Sequence, residues 1–251
     1  MSSGLSDEQV EEKRNAYTFS SDRFWNQYYE KTQASVERFD WYGTWDTEVQ
    51  TDGSKSVMLG ELLRPYMGAQ ESSILMLGCG RSTMPEQMYR DGFENIVNVD
   101  VSDKLLDSLR LQLGAEMPKM RWMKEDAAAL SFSTASFDVV VEKGTLDALQ
   151  ENEPLLKAAV HEARRTLKPG GYFVSITDLP ASVRVVEQLQ WYEYWDVCHT
   201  HQANVRSSAG EERIAHVHAC RRSEDGLWTW LRSHSRPMRS FFFQRAVTRG
   251  S

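Results

Sequence analysis

The sequence predicts an α/β fold: a doubly wound, mostly parallel sheet of seven strands with an antiparallel edge strand. Three observations carry this reading. From Ser72 onward, strand-like and helix-like stretches alternate, and strands joined by helices of that length form right-handed βαβ units. The stretch 137–141 is nearly continuously apolar, as a strand covered on both faces requires. Later, Ile214, His216, His218 and Cys220 alternate with Ala215, Val217 and Ala219, close in sequence to the long segment 191–201. That alternation marks a terminal antiparallel pair joined by the polar loop 204–210.

In chain order, the first nineteen residues read as a flexible N-terminus. Ser20-Ser21-Asp22 forms an N-cap cluster ahead of Phe24, Trp25, Tyr28 and Tyr29 at helical spacing. Apolar positions 58, 59, 62, 63 and 66 predict an amphipathic helix over 57–66, which Pro65 and Gly68 help to end. Strands are predicted at 73–77, 95–99, 119–123, 137–142 and 171–177. Helices are predicted at 83–91, 103–114 and 154–167, the last stopped by Lys168-Pro169-Gly170-Gly171, and a further helix at about 181–189. Residues 223–251, with Trp228, Trp230 and Phe241–Phe243, fit no standard element and read as a docked tail or a partner-binding segment. One domain over 20–222 follows, with an N-terminal helical lid (20–70) above a core (71–222).

Composition narrows the class. A chain of 251 residues with 41% hydrophobic content buries one sizeable core. No apolar run reaches the roughly 18 residues that span a bilayer, and Met1–Arg14 is polar, so no membrane association is expected. Cys79, Cys198 and Cys220 include no CxxC spacing, which predicts neither a disulfide framework nor a zinc site and suits a reducing cytoplasm. Net charge is −7, and from Arg221 onward seven arginines face two acids, which leaves −12 on residues 1–220. An acidic body of that kind argues against nucleic-acid binding and suits a basic protein partner. The expected state is a cytoplasmic monomer.

The chemistry concentrates at strand ends. Ile74–Leu77 breaks into Gly78-Cys79-Gly80, where missing side chains allow a sharp turn and close approach to a ligand. Asp100 ends the next strand, twenty residues past Gly80, placed to hold two ribose hydroxyls. Thr83 stands where a dinucleotide fingerprint has its third glycine, so a cofactor without phosphates fits better. Asp126-Ala127 follows the third strand; the acid accepts from an exocyclic amine and the small residue leaves room for a flat purine. Glu142, Lys143 and Thr145 stand at the mouth of the fourth strand. Other roles suit some of these residues equally. Trp25, Tyr29 and Trp41 are also compatible with a helix packed on the core, and Cys79 with a small filler. His216 and His218 have a metal-compatible spacing but fit a partly buried edge strand better, and no metal is expected.

Taken in order, LGCGRS, NVD, EDA, FDVVVEKGTLDAL and LKPGGYF resemble a class I S-adenosylmethionine-dependent methyltransferase of Rossmann-like fold. Trp25-x-x-x-Tyr29, Asp40-Trp41-Tyr42-Gly43 and Glu142–Ala148 resemble, more narrowly, the seven-β-strand lysine methyltransferases that act on translation elongation factor 1-alpha. The likeness is in particular to the small members related to the endothelin-converting-enzyme fusion. The resemblance implies S-adenosylmethionine as cofactor, with Gly78, Cys79 and Gly80 along its methionine part and Asp100 on the ribose. It places Val101 against the adenine, Asp126 and Ala127 at the adenine's amino edge, and Glu142 and Lys143 nearby. Trp25, Tyr29 and Trp41 would fold over as a lid. A lysine amine must arrive unprotonated, and Glu142, Asp147 or an aromatic from 25–42 would orient it. Arg81, where the family more usually has Asn, and the arginine-rich tail depart from the pattern. A small-molecule methyltransferase and a non-catalytic cofactor-binding scaffold remain the alternative readings.

Overall fold

Strands buried on both faces set the centre of the molecule. The computed structural model describes residues 21–31, 40–51, 56–189, 195–206 and 212–223. The expectations for residues 1–19 and for the tail beyond Ser223 lie outside these. β3 (Ile74–Leu77) and β4 (Ile96–Asp100) have no exposed residue, and β6 (Phe137–Lys143) is nearly as enclosed. With β5 (Arg121–Lys124) and β7 (Leu167–Thr177) they form the parallel part of a sheet ordered β2-β1-β8-β9-β7-β6-β3-β4-β5. β8 (Trp195–Arg206) and β9 (Glu212–Arg222) pair antiparallel, and β9 also runs antiparallel to β7.

Two corrections follow for the predicted sheet. It has nine strands among the described residues, because β1 (Glu48–Thr51) and β2 (Ser56–Met58) add an antiparallel hairpin beside β8. The β8–β9 pair is therefore interior, and the short β2 forms that edge. The predicted helix over 57–66 also divides: β2 takes its start, α2 (Leu59–Leu63) its middle, and a 3-10 turn Arg64–Tyr66 its end. Cys198 and Cys220 sit opposite one another in the β8–β9 register and are joined as a disulfide. Cysteine usage thus gives no support to a reducing compartment; spacing in sequence carries no information about cross-strand register.

Helices cover both faces. α1 (Asp22–Lys31), α2, α3 (Met84–Arg90) and α4 (Asp103–Leu113) lie on one, where Tyr29, Leu63, Met84, Met88, Leu105 and Leu109 share a core with alternate residues of the strands. On the other face, α5 (Thr145–Ala148), α6 (Glu153–Thr166) and a π-helical segment Ser182–Gln188 bury Leu146, Leu156, Val160 and Val185 against Leu75, Val97 and Val140. Ser21 caps α1 as its position suggests, its Oγ accepting from Phe24 N at 3.1 Å. No described helix is long and apolar enough to cross a membrane.

Candidate active site

Parallel register decides which residues meet. Leu77 pairs with Val99 and with Glu142, Asp100 pairs with Lys124, and Lys143 pairs with Ile176. The glycine turn, Asp100, the 125–127 loop, Lys143 and Thr177 therefore share one rim, at the carboxyl ends of the strands where open α/β sheets bind ligands.

Gly78 and Gly80 both adopt left-handed backbone, φ +64° and +52°. At Gly78 the reason is contact: a Cβ would stand 2.6 Å from Thr145 Cγ2. Thr145 Oγ1 donates to Leu77 O at 2.7 Å and to Gly78 O at 3.2 Å, clamping the turn to α5. We expect Gly78→Ala to cost about 2–4 kcal/mol from left-handed strain plus overpacking, read as a lowered urea midpoint with unchanged m. At Gly80, a Cβ would meet only the Tyr29 hydroxyl, at 3.5 Å, so the surface there lies open to a ligand.

Asp100 anchors the turn. Its Oδ2 accepts from Gly80 N at 3.0 Å and its Oδ1 from Ser102 N at 3.1 Å. Burial pushes its carboxyl up to about 6, although these backbone N–H groups pull the other way. Ser102 Oγ accepts from Leu105 N as the cap of α4 and donates to Asn26 Oδ1 at 2.7 Å, which seats α1 on α4. Trp25 stacks on Tyr29 with centroids 5.7 Å apart, and the Arg81 guanidinium lies 5.3 Å from the Tyr29 ring centre while donating to its carbonyl. α1 thus sits beside the glycine turn, with Tyr29 buried in the core and Trp25 packed against it. Burial and the neighbouring Asp100 raise the Tyr29 hydroxyl, keeping it neutral. Cys79 is buried. Val101 is half-buried beside Asp100, Ala127 packs on the core, and exposed Asp126 accepts from Ala128 N at 2.8 Å in a tight turn.

Glu142 and Lys143 play parts that the sequence does not disclose. Glu142 is wholly enclosed; Oε2 caps α5 by accepting from Thr145 N and Leu146 N, both at 3.1 Å, and Oε1 accepts from Ser175 Oγ. Burial raises its carboxyl. It supports the rim from below. Lys143 donates to Asp40 Oδ1 at 2.6 Å, with side chains only 5% and 10% exposed, and burial lowers its ammonium despite that partner. Asp40 also accepts from Ser82 Oγ, and from Thr83 N and Oγ1 at 3.2 and 3.1 Å. It latches the N-terminal segment to the glycine turn and β6 together.

Beyond the latch, Trp41 is exposed and its Cδ1 lies 3.9 Å from where a Gly144 Cβ would stand. Buried Tyr42 donates to Asp147 Oδ2 at 3.0 Å. Asp147 Oδ1 accepts from Thr177 Oγ1 at 2.7 Å and from Arg184 Nη2. Asp40, Tyr42, Thr177 and Arg184 are given no individual role by the sequence. The aromatic run at 40–43 marks the first two, and an arginine set among Val183, Val185 and Val186 is the signal for the last. His218 lies inside the sheet: Nε2 donates to Leu179 O at 2.9 Å, so Nδ1 accepts from Thr200 Oγ1 at 3.1 Å, and burial lowers its pKa to about 4. His216 stacks on it. Among the described residues, no group of three or more His, Cys, Asp or Glu is placed to hold a metal ion.

Comparison with known proteins places the chain in a family. Residues 75–175 match the family model described as a methyltransferase domain. EEF1A lysine methyltransferase 4 of Mus musculus is 33% identical over 189 residues, covering 71% of this chain and 69% of that protein. The chain belongs to the EEF1A lysine methyltransferase family. The larger eEF1A lysine and N-terminal methyltransferase of Mus musculus is 33% identical over 164 residues, 63% of this chain, but the match spans only 22% of that protein. A solved S-adenosylmethionine-dependent methyltransferase from Methanosarcina mazei has the same fold, with TM-score 0.52, 15% identity, and coverage of 65% of this chain and 98% of that one. Members of this family use S-adenosylmethionine, and the residues fit it. Asp100 is a buried carboxylate at a strand tip with acceptor capacity beyond its backbone bonds, suited to a ribose diol, and Gly80 presents bare backbone beside it.

Proposed function

We propose that this protein transfers a methyl group from S-adenosylmethionine to a lysine side chain of translation elongation factor 1-alpha. The observation that carries the lysine reading is Asp147: a carboxylate at the rim, its side chain 14% exposed, held from two sides and next to bare Gly144. The bound cofactor supplies an activated methyl on a sulfonium with a neutral leaving group, so alignment is the protein's main task. Asp40 and Lys143 hold the segment carrying Trp41 and Tyr42 against the rim. Asp147 attracts the lysine head, and its Oδ2 accepts a hydrogen bond that orients the nitrogen. Asp147 favours the ammonium, whose ordinary pKa is about 10.4; packing of the lysine head against Trp41 and Tyr42 takes it out of water and opposes this, and the fraction that loses its proton to solvent accepts the methyl. A translation factor as acceptor also supports a cytosolic setting.

The test is incubation with methyl-labelled cofactor and purified elongation factor, followed by peptide mass spectrometry. Label on one lysine is expected. Label in small molecules alone, or none despite cofactor binding, overturns the reading. Asp147→Asn is expected to lower kcat on the order of 10²-fold while leaving cofactor affinity unchanged, since it misplaces the acceptor alone.

A further inference from the structure

A buried cation stands behind Asp147. Arg184 has no exposed surface and is carried on the π-helical segment Ser182–Gln188, whose wide turn closes with Leu189 N donating to Arg184 O at 2.9 Å. Inserted π turns recur at functional sites. Nη2 donates to Asp147 Oδ1 and, at 3.2 Å, to Thr177 Oγ1; Nη1 donates to Gln188 Oε1 at 2.5 Å. A fold needing only to fill this space would use an apolar side chain, because a buried ion pair is often no more stable than its hydrophobic replacement.

We propose that Arg184 is a positioning residue of the methyl-acceptor site, holding Asp147 charged and turned so that Oδ2 faces the incoming amine. This rests on the reading that Asp147 receives that amine. With Oδ1 engaged by Arg184 and Thr177, and Tyr42 taking one direction on Oδ2, acceptor capacity remains on Oδ2. The groups around Asp147 explain why a cation is needed. Glu142 lies below it on β6, Asp178 beside it beyond β7, and neutral Tyr42 above it. His218, within electrostatic reach of Arg184, is held neutral. Burial and Asp178 raise the Asp147 carboxyl, and Arg184 is the charge opposing them.

The experiment is a kcat–pH profile of the full chain, with cofactor affinity measured in parallel. Arg184→Met is expected to move the acid limb upward, so that activity lost on the acid side recovers at higher pH, with cofactor affinity unchanged. Arg184→Lys is expected to keep the limb in place with a lower kcat, because an ammonium lacks the planar fork. An unmoved limb in the methionine variant, or a loss equal at every pH, overturns the proposal. Should the methionine variant not fold, a lysine variant with wild-type kcat at every pH overturns it instead. If Asp147→Asn keeps full activity, the acceptor reading itself has failed. If Asp147→Asn is inactive while the Arg184 profiles match wild type, only the role of Arg184 has failed.

Discussion

Asp40→Ala should cost about 3–5 kcal/mol of folding stability, the usual range when one partner of an enclosed ion pair is removed. Lys143 would be left inside the protein with no countercharge, and Ser82 and Thr83 would lose their acceptor. For a domain of this size the melting temperature should fall by roughly 6–20 °C. The loss should also depend on pH in a defined direction. A lysine whose folded pKa lies below its unfolded value favours the folded state with a neutral amine. That contribution is present above about 10.5 and lost as pH falls through the folded pKa, which burial has already lowered. Removing Asp40 lowers it further, so the variant should lie closer to wild type at pH 9 than at pH 6. Adding Lys143→Met should restore part of the stability, since no buried charge remains. Equal melting temperatures for wild type and Asp40→Ala would show that the latch carries no weight.

The latch also shows where a sequence stops being informative. Strands β3, β4 and β6 are legible because enclosure on both faces forces continuous apolar runs, and parallel register then fixes which strand ends share a rim. Gly78, Gly80 and Asp100 follow from the same logic: a turn needing bare backbone and an acid at a neighbouring tip. Lys143 is visible as a rim residue, but its partner Asp40 lies 103 residues away, and nothing local pairs them. The 57–66 stretch is misread because Met58, Leu59, Leu62, Leu63 and Tyr66 fit a helix period, and short apolar runs suit either structure. The β1–β2 hairpin escapes notice because Glu48–Thr51 is short and mostly polar, formed by pairing with β8 and not by its own pattern. Arg184 is the clearest omission: its meaning lies in Asp147 and Thr177, which only the fold brings to it.

Cofactor affinity should fall about tenfold per pH unit below about 6, and Asp100 is the reason. Its carboxyl is pushed from an ordinary 3.8 up to about 6 by burial. An acid with a raised folded pKa stabilises the protein fully below its unfolded value, and that contribution is lost as pH rises through 6. In the cofactor-free protein at neutral pH, ionised Asp100 therefore costs on the order of 3 kcal/mol, because each tenfold weakening of its acidity is worth about 1.4 kcal/mol. Two hydroxyls donating to that carboxylate oppose this cost, so the ionised form is the one that binds. Below pH 6 a proton must first leave, and each further pH unit lowers the competent fraction tenfold. Calorimetric titrations with S-adenosylmethionine between pH 4.5 and 8 should show this slope, with proton release near pH 6 revealed by buffers of different ionisation heat. Asp100→Asn should flatten the slope and weaken binding at pH 7.5 by roughly 10–150-fold, the equivalent of 1.5–3 kcal/mol for a charged hydrogen bond. If the wild type and the asparagine variant share one pH slope, the proton belongs to another group and Asp100 does not hold the ribose.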